Sequence, residues 1–183
     1  MTRAQKKFVR LVAKHRPTEV SHLRKLGYQP RIVAEGAFRR AYVIPHLDVV
    51  VKFPLLFQDM PDKKDRTASI RDSKEHARFE IKAIRRILTE EHLLPLRRYM
   101  PEILYHDYGT GVTVVQRYRR FRWSAFFSGF ALTFANLLND LMPEMRYEFD
   151  SGHANFGLTE EGNYVLLDAG LIGEVNVKEL KCR

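Results

Sequence analysis

The chain has 183 residues and a formal net charge of +9, long enough to bury the core of one domain or two small lobes. It holds no run of about 18 uncharged apolar residues to span a membrane, and its basic start lacks the apolar stretch and cleavage site of a signal peptide. A lone cysteine, Cys182, excludes an internal disulfide and suits a reducing compartment, so the expected setting is cytoplasmic, or a host cell into which the chain is delivered.

The charge is unevenly spread. Residues 1–31 carry nine of the 31 Lys and Arg against one acid, Glu19, leaving 22 basic and 21 acidic groups in a nearly neutral remainder. Arguments from the basic pI therefore concern this segment alone. Ala4 to Lys14 reads as a helix with Phe8, Leu11 and Val12 on one face, and Thr18 to Leu26 as a second, opened by Pro17 and closed by Gly27. The preferred reading is a solvated helix pair lying on the domain; the sharper one is a docking arm for an acidic partner, nucleic acid or a membrane surface. Nucleic acid ranks low, because no aromatic residues are interleaved for base stacking.

From Arg31 the pattern turns to strands: Ile32–Ala34, Ala41–Ile44 and the β-branched Val49–Phe53, with Pro45–Asp48 as a turn. Lys52 sits inside the third strand, where an inward face does not accept an unpaired ammonium. Alternation also allows Lys52 to point to solvent. Asp59–Arg71 reads as a loop, followed by a helix capped by Asp72 or Ser73 and running to about Thr89. Its apolar stripe is Phe79, Ala83, Ile84, Ile87 and Leu88, with Glu80 in the middle and Glu75 at the edge. A buried carboxylate there needs a cation, and Lys52 is available; the alternative is a local pair with Arg85.

Ile103–Tyr108 and Val112–Gln116 form a predicted hairpin around Gly109-Thr110-Gly111. Trp123–Leu141 is an aromatic-rich helix, with some of its rings offered to an interface. Phe156–Leu158 and Tyr164–Leu167 make a last hairpin. Its closure brings Asn155 and Asp168 to one end of a ribbon, with Asp150 five residues before Asn155. Those three oxygen-bearing side chains suit Mg²⁺, which takes oxygen ligands and keeps substrate phosphates in its other positions. The order αα-βββ-α-ββ-α-ββ is an α+β arrangement.

Taken in this order, residues 32–170 resemble the protein-kinase-like superfamily, in the style of small bacterial or phage kinases. Glu35-Gly36-Ala37-Phe38-Arg39-Arg40 resembles a shortened glycine-rich loop, Val49-Val50-Val51-Lys52 the third-strand lysine motif, and the Glu75/Glu80 helix the one whose carboxylate holds that lysine. Asp150 and Asn155 reproduce the Asp-x-x-x-x-Asn spacing, and Asp168-Ala169-Gly170 resembles Asp-Phe-Gly. The resemblance implies a bilobal fold with a five-stranded antiparallel N-lobe and a truncated helical C-lobe. Its divisions would be a basic helical extension over 1–31, an N-lobe over 32–118 and a C-lobe over 119–183.

The resemblance further implies ATP and Mg²⁺ as cofactors. Main chain at Gly36 and Ala37 would cover the phosphates, and Lys52, held by Glu80 or Glu75, would neutralise them. Gln116 to Tyr118 would offer backbone groups to adenine, Asn155 and Asp168 would bind the metal, and Asp150 would take the acceptor's proton. The apolar stripe favours Glu80 as the lysine's partner, while Phe79, four residues on, fits Glu75.

Three departures qualify the likeness. Gly36 is alone where the fuller loop has up to three glycines, and Phe149 replaces the His/Arg pair before the aspartate. His153 stands near where relatives steady the phosphate, with a loop hydrogen bond as its plainer role. Only 13 residues follow Gly170, so a complete chain would be a minimal kinase without a conventional activation loop. The expected activity is phosphoryl transfer to a protein serine or threonine. The alternatives are a small-molecule phosphotransferase of the aminoglycoside type and a non-catalytic pseudokinase.

Overall fold

The computed structural model describes residues 1–36, 38–55, 63–119, 125–141 and 155–167. The order of elements is α+β, with a five-stranded antiparallel sheet and a separate two-stranded one. The chain divides into two compact units, 1–78 with 101–117 and 79–100 with 118–183. Among the described residues no helix is long and apolar enough to cross a membrane.

In the first unit, helices α1 (Arg3–His15) and α2 (Val20–Lys25) precede strands β1 (Arg31–Glu35), β2 (Arg39–Ile44) and β3 (Val49–Pro54). Helix α3 (Lys63–Thr89) and the hairpin of β4 (Ile103–His106) and β5 (Thr113–Gln116) follow. The strands lie in the order β1-β2-β3-β5-β4. A capping box starts α1: the Thr2 hydroxyl accepts the Gln5 N–H at 3.2 Å, and Gln5 Oε1 accepts the Thr2 N–H at 2.8 Å. Phe8, Val12 and Leu23 are buried in one core with Tyr42, Ile44, Leu47, Val49, Val51, Phe53, Val112 and Val114. The helix pair thus lies on the sheet, its apolar face consumed by the core and its cations left outside.

Alternation along β3 assigns the two faces of the sheet. Val49, Val51 and Phe53 join the helix-side core, so Val50, Lys52 and Pro54 point the other way. The expected loop over 59–71 is corrected: α3 already begins at Lys63, so Asp72 and Ser73 lie inside the helix, and Ser73 is fully buried. Charged residues that suggest a loop are equally at home on the solvated face of a helix, as exposed Arg71 is here. The stripe also shifts. Ala77, Glu80, Ile81, Ala83, Ile84 and Ile87 are buried, whereas Phe79 and Leu88 are 40% and 43% exposed.

In the second unit, the rest of α3 leads through a 3₁₀ turn at Glu91–Leu93 into the short α4 (Leu94–Arg97). Helix α5 (Ala125–Leu141) and the hairpin of β6 (Phe156–Leu158) and β7 (Tyr164–Leu166) follow. Phe130 stacks on Tyr164 at 4.2 Å between ring centroids, and Phe127 and Phe134 meet Phe156 edge-on at 5.4 and 5.7 Å. Phe127 and Phe134 are each 1% exposed and Phe130 is half-buried, so these three rings serve the packing of this unit. Rings of this size gain more from packing on the hairpin than from remaining in water. The hairpin is anchored on both sides: Leu166 N–H donates to Tyr99 O at 2.7 Å, and Arg119 and Leu158 exchange backbone bonds.

Candidate functional site

The first unit contributes a turn, a lysine and a strand end, spaced along one sheet. The β1–β2 turn is closed by Gly36 N–H donating to Arg39 O at 2.9 Å and by a 2.8 Å ion pair between Glu35 and Arg40. Phe38 O accepts the Leu55 N–H, and the Phe38 ring stacks on His76 of α3 at 4.6 Å. Gly36 is not demanded by the backbone, since its φ is not positive and an added Cβ would meet only Arg39 O at 3.8 Å. Its missing side chain leaves open space, but its N–H already serves the turn. Ala37 lies outside the described residues.

Lys52 is 7% exposed, so the solvent-facing alternative does not hold. It stands between Ala41 of β2 and Thr113 of β5, on the sheet face away from the α1 and α2 core. Along β3 the loop end pairs at Pro54 with Arg39, Lys52 lies in the middle, and Val49 pairs with Gln116 at the far end. A ligand extended along this sheet would meet turn, ammonium and strand end in that sequence.

At the far end the side chain of Gln116 is committed to structure. Its Oε1 accepts from Gln5 Nε2 at 3.0 Å, and its own Nε2 donates to Asp48 O and Oδ2 at 3.0 and 2.9 Å. Gln5 Nε2 also donates to Leu47 O, so this buried amide joins α1 to the turn before β3. The backbone N–H groups of Gln116 and Arg117 bond to Glu102 O and Asp48 O. Gln116 therefore shapes the strand end, and its partner is Gln5, which the sequence reading did not single out.

In the second unit, Glu80 is 2% exposed and lies within the buried stripe of α3. Glu75, which belongs to the first unit, is exposed. Asn155 is half-buried, in 3₁₀ conformation directly before β6, and its carbonyl accepts the Leu167 N–H at 2.6 Å. The hairpin thus joins Asn155 to the residue before Asp168, as the spacing predicts. Tyr118 packs its Cβ over Gly157, where an added side chain would meet it at 2.8 Å. Asp150, His153 and Asp168 lie outside the described residues, which leaves Asn155 as the one described member of the expected metal set.

Two site neighbours were not legible in the sequence. Thr113 is 1% exposed beside Lys52, and His106 Nδ1 lies 3.0 Å from its hydroxyl. Only strand register could reveal them. No protein-family model matches this chain, and no curated protein matches its sequence.

Proposed function

We propose that this chain is an ATP- and Mg²⁺-dependent phosphotransferase of protein-kinase-like bilobal fold, with a protein serine or threonine hydroxyl as acceptor. The observation that carries the reading is Lys52: a lysine 7% exposed, on a sheet face that it shares with Ala41, Val43, Val50, Thr113 and Val115. A buried ammonium held by its partners keeps its charge in a low-dielectric setting, where it acts strongly on a phosphate. The open space at Gly36, toward the Pro54 end of the same sheet, fits the accompanying approach of phosphates.

In this reading Lys52 neutralises the α- and β-phosphates, and Glu80, the buried one of the two candidates, supplies its carboxylate. The main chain around Gly36 and Ala37 covers the phosphates, and the segment from Gln116 to Tyr118 borders the adenine. Asn155 and Asp168 hold the metal. Asp150 would orient the acceptor hydroxyl and accept its proton as the oxygen attacks the γ-phosphorus, the bond from that phosphorus to the bridging oxygen breaks and ADP leaves. Bound Mg²⁺ withdraws charge from the phosphate oxygens; positioning by the protein carries the remainder of the catalysis. The protein acts in the cytoplasm or in a host cell, and the exposed cations of α1 are available to an acidic partner.

The test is transfer of labelled phosphate from Mg²⁺-ATP to proteins of a lysate, comparing wild type with Asp168→Ala and Asp150→Ala. Labelling by wild type alone is the expected result. Equal labelling by all three sinks the proposal, and transfer to small alcohols or sugars instead moves it to the small-molecule class. A second reading, a non-catalytic binding module, draws on one observation: the sole loop glycine spends its N–H on Arg39 O. That reading predicts no labelling of any substrate.

A further inference from the structure

Helix α1 keeps its cations on one side. At about 100° per residue, Arg3, Lys6, Lys7, Arg10 and Lys14 fall within about 100° of arc, opposite the buried Phe8 and Val12. Four of them, Arg3, Lys7, Arg10 and Lys14, stand at i, i+4, i+7 and i+11, a straight row about 16 Å long. All five are exposed, and among the described residues none is paired with an acid. Glu19, Asp48 and Asp107 of the same unit are engaged by His22, Gln116 and Arg16. Beside the row Ala4 is exposed and Leu11 half-buried, and these two line a groove together with the five cations.

The arrangement works against the helix that carries it. Like charges at i, i+3 and i, i+4 repel one another. Arg3 and Lys6 lie in the first turn, where the helix dipole favours anions and no acid is present. An anionic partner relieves both.

The surroundings of the row separate the kinds of anion that fit it. A helix that binds a membrane buries its large apolar side chains in the lipid, but Phe8 and Val12 are committed to the core. Nucleic acid is held by cations but read and stacked by amide and aromatic side chains, and the groove has neither. A phosphate chain would also leave Ala4 and Leu11 uncovered. An acidic helix repeats the period of α1 itself, so its carboxylates at i, i+4, i+7 and i+11 meet the row while apolar residues beside them cover Ala4 and Leu11.

We propose that the cationic face of α1 docks an acidic amphipathic helix of a partner protein. Arg3, Lys7, Arg10 and Lys14 pair with its carboxylates, and Ala4 and Leu11 take its apolar edge. Docking here does not depend on the phosphotransferase reading, and either can fail alone.

Fluorescence anisotropy tests it, with the full chain and a labelled, end-capped helical peptide of Ala and Gln. The peptide carries Glu at i, i+4, i+7 and i+11 and Leu at i+1 and i+8. Wild type should bind it with an affinity that falls as salt rises. Lys7→Glu combined with Arg10→Glu should weaken binding at least about tenfold, because two attractive pairs become repulsive. Both residues are exposed, so the fold is kept, and circular dichroism checks this. Replacing both Leu of the peptide by Gln should weaken binding about threefold or more, which attraction between opposite charges alone would not do. A short DNA duplex and phosphatidylserine vesicles, measured at the same salt, should bind more weakly than the peptide. No binding of the peptide by wild type, binding unchanged by the charge reversal, or indifference to the loss of Leu overturns the proposal. Tighter binding to the duplex or to the vesicles overturns it in favour of that surface.

Discussion

Arg16 grips Asp107 with two parallel bonds, Nε to Oδ2 at 2.7 Å and Nη2 to Oδ1 at 2.9 Å. Arg16 is the residue that ends α1, in a left-handed conformation with φ 46° that side chains rarely adopt. Asp107 opens the β4–β5 turn, where its Oδ1 also accepts the N–H groups of Gly109 and Thr110. One carboxylate therefore joins a helix terminus to a hairpin 91 residues away. Geometry of this kind is stronger than an ordinary surface pair, because the fork is bidentate and the acceptor is 7% exposed.

The pair makes acid stability a direct readout. The guanidinium of Arg16 and then the turn's N–H groups hold the Asp107 carboxyl well below the usual carboxylate range. A group whose folded value is depressed contributes stability above its unfolded value, about 4, and loses it as pH falls further. Asp107→Asn should therefore lower the urea midpoint at pH 7. The gap from wild type should narrow steadily below about pH 4. A gap independent of pH would show that the charge is not what stabilises the turn.

Gly109 reports on the same contact. A Cβ added there would sit on Arg16 Nη2 and lie 3.2 Å from Asp107 Oδ1. Gly109→Ala should cost about as much as Arg16→Ala, roughly 1–2 kcal/mol for a charge-assisted bond. The double variant should cost little more than either, because both remove one interaction. Additive losses in denaturant titrations would separate the two residues.

Gly111 is constrained by conformation as well as by space. Its φ is +76°, and a Cβ would meet Pro54 Cγ at 2.8 Å and the α3 backbone at Lys74 Cα at 3.4 Å. Gly111→Ala should destabilise by about 1–3 kcal/mol, more than Gly109→Ala. Thermal unfolding of the two variants side by side checks the ranking.

Lys52→Met tests function against stability. Methionine has nearly the length of lysine without the charge, so the packing is kept while the buried carboxylate that the proposal pairs with Lys52 loses its compensation. The variant should lose about 3–5 kcal/mol of stability but remain folded, and lose about a hundredfold or more in phosphoryl transfer, as when one preorganised electrostatic group is removed. A stable variant with unchanged transfer would take Lys52 out of the site.

Gln116→Leu probes the amide relay. It removes the acceptor of Gln5 Nε2 and the donor to Asp48, beside a Gln5 side chain that is 4% exposed. The expected loss is about 1 kcal/mol, because one N–H of the buried Gln5 amide loses its acceptor while the other keeps Leu47 O and Asp48 is open to water. Gln5→Leu combined with Gln116→Leu should recover part of it, measured by the same denaturant titrations.

Local pattern carried most of the elements. Alternation and β-branching marked β2 and β3, Gly109-Thr110-Gly111 marked the β4–β5 turn, and Thr159–Asn163 marked the last hairpin, because such signals act over a few residues. The start of α3 was missed by the same token. Its charged first turns resemble a loop in composition, and nothing local distinguishes a solvated helix from a solvated turn.

Spacing also announced Lys52, Glu80 and Asn155 as residues of interest, since each sets a polar group in or beside an apolar run. Which of them are buried, and which face they share, follows from register between strands far apart in the chain. Lys52 sits opposite Thr113, and Thr113 opposite His106, through hydrogen-bond ladders that no short window of residues encodes. The same holds for Arg16 and Asp107. Each is an ordinary charged residue in the sequence, and their partnership exists because α1 packs its apolar face on the sheet and brings a helix end to a hairpin turn.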